Sequence, residues 1–204
     1  AVFTAIHCPR ENSMRRIPVI LILCILISPV KAGELINYHV DRIDGHFILH
    51  LDMRVSADYQ AIRDVLLDFD KMPDVNDTVI ESRLVKSDGN EHEIYFVSKG
   101  CVWIFCQTIE QVAMVTELNG GYIASTIIAD ESDLDYGRSL WQLIDEGDTV
   151  RVIYNADYVP DFWVPPFVGS SIAKKKMLSE GRKTINGLER VIKDRKVAQI
   201  SILE

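Results

Sequence analysis

The sequence predicts an α+β fold: a curved antiparallel β-sheet wrapped around a long C-terminal helix, with two short helices after the first strands. Three observations lead there. Segments of alternating apolar and polar residues are joined by short Gly, Asn and Asp turns, which favours antiparallel neighbours over parallel crossovers. A stretch with helical spacing separates the second such segment from the rest. A single long amphipathic pattern closes the chain after Pro165-Pro166.

The N-terminus reads as an address rather than as part of that fold. Met14-Arg15-Arg16 precedes an apolar run, 17–27, and Ser28-Pro29-Val30-Lys31-Ala32 then supplies the small residues that a signal peptidase reads. The apolar stretch 17–30 is shorter than the ~20 residues that cross a bilayer as a helix. A secretory signal peptide over about 14–32 is therefore expected, with 1–13 upstream of it, and the protein is expected in the periplasm or secreted. Arg15-Arg16 lacks the rest of a twin-arginine signal, and Leu23 stands where lipidation of Cys24 needs a small residue.

The remainder has the length of one domain: 33–193 carry the fold, and 194–204 read as a loosely held tail. Apolar residues at 48% and charged residues at 25% exclude a disordered chain. The net charge of −8 becomes −11 once 1–32 are set aside, because that segment holds four of the 22 basic residues and one of the 30 acidic ones. So acidic a domain is a poor match for a phosphate backbone, and no nucleic-acid partner is expected. Nothing in the pattern specifies an oligomeric state.

Each element has a local cause. Ile36, Tyr38 and Val40 alternate with polar neighbours, Asp44-Gly45 makes a tight turn, and Phe47, Leu49, Leu51, Met53 and Val55 alternate in a second strand. Ser56 is placed to cap a helix whose apolar positions Ile62, Val65, Leu66 and Phe69 repeat at helical spacing, ending near Asp68. Residues 72–77 allow a short second helix. Strands follow over 79–86, 91–98, 103–117, 122–129, 134–144 and 149–158, punctuated by Asp88-Gly89-Asn90, Asn119-Gly120-Gly121 and Glu146-Gly147-Asp148. Leu178, Gly181, Ile185, Leu188 and Ile192 form one apolar stripe on a helix that runs to about Ile192. A twisted sheet and a single helix cannot touch everywhere, so an apolar hollow is expected between them.

This layout resembles the START-like helix-grip superfamily over 56–192, and most of all its coenzyme-Q-binding and polyketide cyclase/dehydrase groups. The resemblance is carried by Val65-Leu66-Leu67-Asp68-Phe69-Asp70-Lys71-Met72-Pro73 leading to Val79-Ile80-Glu81-Ser82, by Gly137-Arg138-Ser139-Leu140-Trp141-Gln142-Leu143, and by the helix after Pro165-Pro166-Phe167. It implies an internal cavity that takes a hydrophobic small molecule, a lipid or an isoprenoid quinone, with lipid binding or transport as the function. The alternative it implies is a cyclase- or dehydratase-type enzyme acting on a polyketide-like or aromatic substrate. An interaction module, like the relatives that resemble a ribosome-association factor, is opposed by export and by the acidic charge.

In the resembling family the connection 159–167 lies near a cavity mouth, which makes Phe162, Trp163 and Phe167 candidates for a gate; the competing reading is that they seal one end of the core. Phe96, Trp141 and Tyr154 on strands and Met177 on the last helix are the other cavity candidates, each weighed against plain packing. Lys174-Lys175-Lys176, with Arg182 and Lys183, form either a solvated face or a site of transient contact with an anionic membrane surface. Cys101 and Cys106 are an even pair for an oxidising compartment, either bridged or buried as thiols. Residues five apart on a flat strand face opposite ways, so a bridge requires a turn or bulge between them. His39, His46, His50 and His92 lack metal-ligand spacing, and neither a phosphate loop nor a dinucleotide fingerprint occurs, so no metal and no cofactor are expected. For acid–base chemistry the chain offers only Asp135, Tyr136, Arg138, Tyr154 and Asp157.

Overall fold

The computed structural model describes residues 33–102, 105–165 and 170–201, so Phe167 and the signal peptide expected at about 14–32 lie outside the described residues. Strands β1 (Glu34–Ile43) and β2 (His46–Val55) form a hairpin through Asp44 at φ 50° and Gly45 at φ 88°, the pair of positive angles that a tight hairpin turn demands. Helix α1 (Tyr59–Leu66), a 3-10 turn (Phe69–Lys71) and helix α2 (Met72–Val75) then carry the chain across to β3 (Val79–Asp88). Strands β4 (Glu91–Val102), β5 (Phe105–Leu118), β6 (Tyr122–Ile127), β7 (Leu134–Asp145) and β8 (Val150–Pro160) follow, and helix α3 (Ser170–Ser201) comes last.

The eight strands make one antiparallel sheet in the order β1-β2-β8-β7-β6-β5-β4-β3. From β3 to β8 the strands pair in sequence, as their short turns require. The first hairpin then joins the last strand, with Leu51 opposite Tyr154. On the outer side of that seam the Arg151 guanidinium donates to both carboxylate oxygens of Asp52, at 2.9 and 2.7 Å, and these hydrogen bonds hold the Asp52 carboxyl below its ordinary value.

Three boundaries differ from expectation. Helix α1 is capped by Asp58, whose carboxylate accepts from the backbone N–H of Gln60 at 2.9 Å and of Ala61 at 3.1 Å. Ser56 lies two residues before that cap, and its backbone N–H donates to Glu189 of α3. Strands β4 and β5 run closer to their shared turn than their periodicity suggests, which makes Cys101 and Cys106 cross-strand partners, and the two are joined by a disulfide. Helix α3 continues past Ile192 to Ser201, so 194–201 are helical rather than a loose tail. That last stretch carries exposed Val197 and Ile200, which leaves no buried stripe to announce it, but Arg195 is paired with Asp68 near α1.

Among the described residues α3 packs against the sheet mainly on β1 and β2, and against α1 and α2 beyond them. Its closest approach is at Gly187, where an added Cβ would lie 1.7 Å from the Val75 carbonyl oxygen of α2. Only glycine allows the two helices to meet this tightly.

Candidate functional site, the hollow beneath the helix

Alternation along each strand decides which side chains face α3. On β2 the inward set is Phe47, Leu49, Leu51, Met53 and Val55; register places Val150, Val152, Tyr154, Ala156 and Tyr158 of β8 beside it. Gly137, Ser139, Trp141 and Leu143 of β7 come next, followed by Ile123, Ser125 and Ile127 of β6.

The two ends of this inner face are packed differently. At the end covered by α1, α2 and the C-terminal half of α3, Met53, Val55, Ile62, Val65, Val150, Val152 and Leu188 are sealed from solvent. Phe69, Val115 and Ile123 extend that seal under β5 and β6. At the other end Phe47, Leu49, Ile127, Trp141, Tyr154 and Tyr158 face inward along the same strands yet remain only part-buried. Leu49, Trp141 and Tyr154 pack against the main core cluster on one side, and all six keep part of their surface accessible.

One polar cluster interrupts this apolar wall. The Tyr154 and Tyr158 hydroxyls are hydrogen-bonded to each other at 2.7 Å, and register places Ser139 of β7 opposite Ala156, between them. Burial holds the Tyr154 phenol well above its ordinary value and raises that of Tyr158, so both are neutral hydroxyls. Trp141 leans on Tyr154 with ring centroids 4.4 Å apart. Gly137 makes room for Tyr158: a Cβ there would lie 2.8 Å from the Tyr158 ring and 2.4 Å from Ile127.

The open end is bordered by the Asp44-Gly45 turn, the disulfide-bridged tip of β4 and β5, and the segment 161–165. There Arg42 donates to the Pro165 carbonyl at 3.4 Å and lies 5.2 Å from the Phe47 ring. Phe162 is part-buried in this segment, and Trp163 is 70% exposed. Phe96 faces inward from β4 and is part-buried, whereas Met177 is buried within the main core cluster. Of the basic residues on α3, Lys176 and Lys183 are engaged with Glu180 and Asp77, each at 2.7 Å.

The candidates for acid–base chemistry divide by face. Tyr136, Arg138 and Asp157 lie on the outer side of the sheet, where Asp157 meets the His46 ring at 2.8 Å and Tyr136 stacks between His46 and Arg138. Asp135 is exposed, and of the five only Tyr154 lies on the inner face. His50 is paired with Asn155 on the outer side, and His92 with Glu117 at the closed end. Among the described residues no three His, Cys, Asp or Glu side chains cluster as metal ligands. A separate groove of about 570 Å³ follows the free edge of β1 beside Leu178 and Arg182.

Sequence reasoning missed Tyr158, Ser139, Phe47 and Leu49 as site residues. The signal was present: Tyr158 shares the parity of Tyr154 on β8, and Ser139 that of Trp141 on β7, so the alternation that selects one member of each pair selects both.

No family model and no curated protein matches this sequence. Solved structures do share its architecture. An aromatase/cyclase from Streptomyces sp. R1128 is 10% identical, with 74% of this chain and 95% of that one covered, at a TM-score of 0.59. A START superfamily protein from Mycobacterium smegmatis is 14% identical, with 74% and 99% covered, at 0.58. A STAR-related lipid transfer protein from Xanthomonas axonopodis is 16% identical, with 80% and 99% covered, at 0.53. The chain therefore has the START-like helix-grip fold.

Proposed function

We propose that the chain binds a hydrophobic small molecule or lipid in the hollow between α3 and the sheet. The observation that carries this reading is the incomplete burial of inward-facing Phe47, Leu49, Ile127 and Trp141 at one end of an otherwise sealed core. Each Å² of such surface covered by an apolar ligand is worth ~25 cal/mol, so a greasy molecule needs few polar contacts to stay bound. Likeness to a STAR-related lipid transfer protein supports carriage of a lipid, and an isoprenoid quinone has suitable chemistry. The bridged Cys101–Cys106 pair and the leader at 14–32 support export to the periplasm or beyond. Exposed Trp163, close in the chain to Lys174-Lys175-Lys176, supports transient contact between the mouth and an anionic membrane surface during loading.

Native purification followed by mass spectrometry tests the proposal. The expected result is one apolar molecule per chain, released by competition with an apolar fluorescent probe. A ligand-free protein that no apolar probe enters contradicts it. A second reading, a cyclase- or dehydratase-type enzyme, is favoured by the neutral hydroxyl pair Tyr154 and Tyr158 inside the hollow and by the Streptomyces neighbour. Turnover of a polyketide-like substrate, lost in Tyr154→Phe with binding retained, would establish it.

A further inference from the structure

Resting on that reading, we infer that Tyr154, Tyr158 and Ser139 are the polar anchor of the hollow, and that the ligand is an uncharged, largely apolar molecule bearing a carbonyl or hydroxyl oxygen. The three hydroxyls stand together on β7 and β8, where register places Ser139 opposite Ala156, between the two tyrosines. Tyr154 and Tyr158 share a 2.7 Å hydrogen bond.

Each hydroxyl offers one donor and two acceptor sites, so the two tyrosines joined by one bond leave one O–H and several lone pairs for a guest, with the Ser139 hydroxyl beside them. That equipment suits a neutral oxygen, which a carbonyl or hydroxyl supplies. It does not suit a carboxylate or phosphate. The inward positions of β6, β7 and β8 around the trio are Ile123, Ser125, Ile127, Gly137, Trp141 and Ala156, none of them charged. An anion placed there would lose its hydration with no cation beside it. The inward cation nearest to this end is Arg42 at the mouth, engaged with Pro165 and the Phe47 ring.

A series of nearly equal chain length, twelve or thirteen carbons, separates these chemistries: tridecane, 2-tridecanone, 1-dodecanol and dodecanoate, each competing with the apolar fluorophore N-phenyl-1-naphthylamine on the intact protein at pH 8. The ketone and the alcohol should bind about tenfold more tightly than the alkane, the value of one buried hydrogen bond, and more tightly than dodecanoate. In Tyr154→Phe/Tyr158→Phe, which keeps both rings, that advantage should vanish while alkane binding holds. Ser139→Ala should reduce it in part. Equal binding of ketone and alkane by the native protein overturns the inference and leaves the apolar hollow standing. Dodecanoate binding more tightly than the ketone also overturns it, by assigning the polar end to Arg42. Failure of every probe, the alkane included, removes the proposed function and the inference with it. Should the double variant not fold, the native series and Ser139→Ala still decide.

Discussion

The two ends of the inner face are built from the same strands and differ in what covers them. On β8, Val150 and Val152 are sealed beneath α1 and α3, while Tyr154 and Tyr158 further along the same face are part-buried on either side of buried Ala156. On β2 the change falls between Leu51, which is buried, and Leu49, which is not. Strand composition is apolar at both ends, so the contrast arises from the helices: α2 brings α3 into contact at Gly187, and nothing comparable among the described residues presses α3 onto β6, β7 or β8. One end is sealed, and the other is the end proposed to take a guest.

The largest expected effect comes from breaking the closed end. Gly187→Val places branched carbon against the Val75 carbonyl, forces α3 away from α2, and should cost about 3 kcal/mol or more in urea unfolding. A cost under about 1 kcal/mol would mean that the helices are not locked there. Next, Leu188→Ala should cost about 3 kcal/mol, because Leu188 is fully sealed and its cavity cannot collapse. Leu49→Ala should cost about 1 kcal/mol, since its side chain is already part-buried beside open space. Equal costs for these two leucines would erase the distinction between the ends. Replacing Cys101 and Cys106 with Ser should lower stability by about 2 kcal/mol, as expected for a short disulfide loop, and loosen the hairpin tip at the mouth; unchanged unfolding would show that the clip is idle.

The smallest effect belongs to the hydroxyl pair and appears only in alkali. Burial raises the pKa of Tyr154 and of Tyr158 above the value near 10 that an unfolded tyrosine has. Their contribution to stability is therefore whole below about pH 10 and is lost as the pH rises through the folded values. Tyr154→Phe/Tyr158→Phe should remove part of the alkaline loss of stability measured by denaturant unfolding at several pH values. An identical alkaline profile would place both hydroxyls in water rather than on the wall of a hollow.

Much of this architecture is written locally. Asp44-Gly45 announces its turn through residues that tolerate positive φ, and period-two alternation in β2 and β8 separates inner from outer faces before any contact is known. The features that escaped sequence reading depend on distant partners. Pairing of β2 with β8 joins residues a hundred positions apart, and no local pattern encodes it. Ser56 is read as the cap, yet the helix starts at Tyr59, so the carboxylate of Asp58 accepts from its first N–H groups. Residues 194–201 carry no buried stripe, so their helix shows only when Arg195 meets Asp68. The candidate site follows the same division: Trp141 and Tyr154 were legible as inward aromatics, whereas the nearness of Ser139 to the Tyr154–Tyr158 pair depends on register between β7 and β8.

Xenon bound to crystals of the unliganded protein tests the central claim most directly, since the gas settles in dry apolar space large enough to admit it and nowhere else in a packed interior. The account predicts xenon between α3 and the sheet, in contact with Leu49, Ile127 and Trp141, and none beside Val55, Ile62 or Leu188. Xenon found only among those sealed residues, or no site at all beneath the helix, would contradict it.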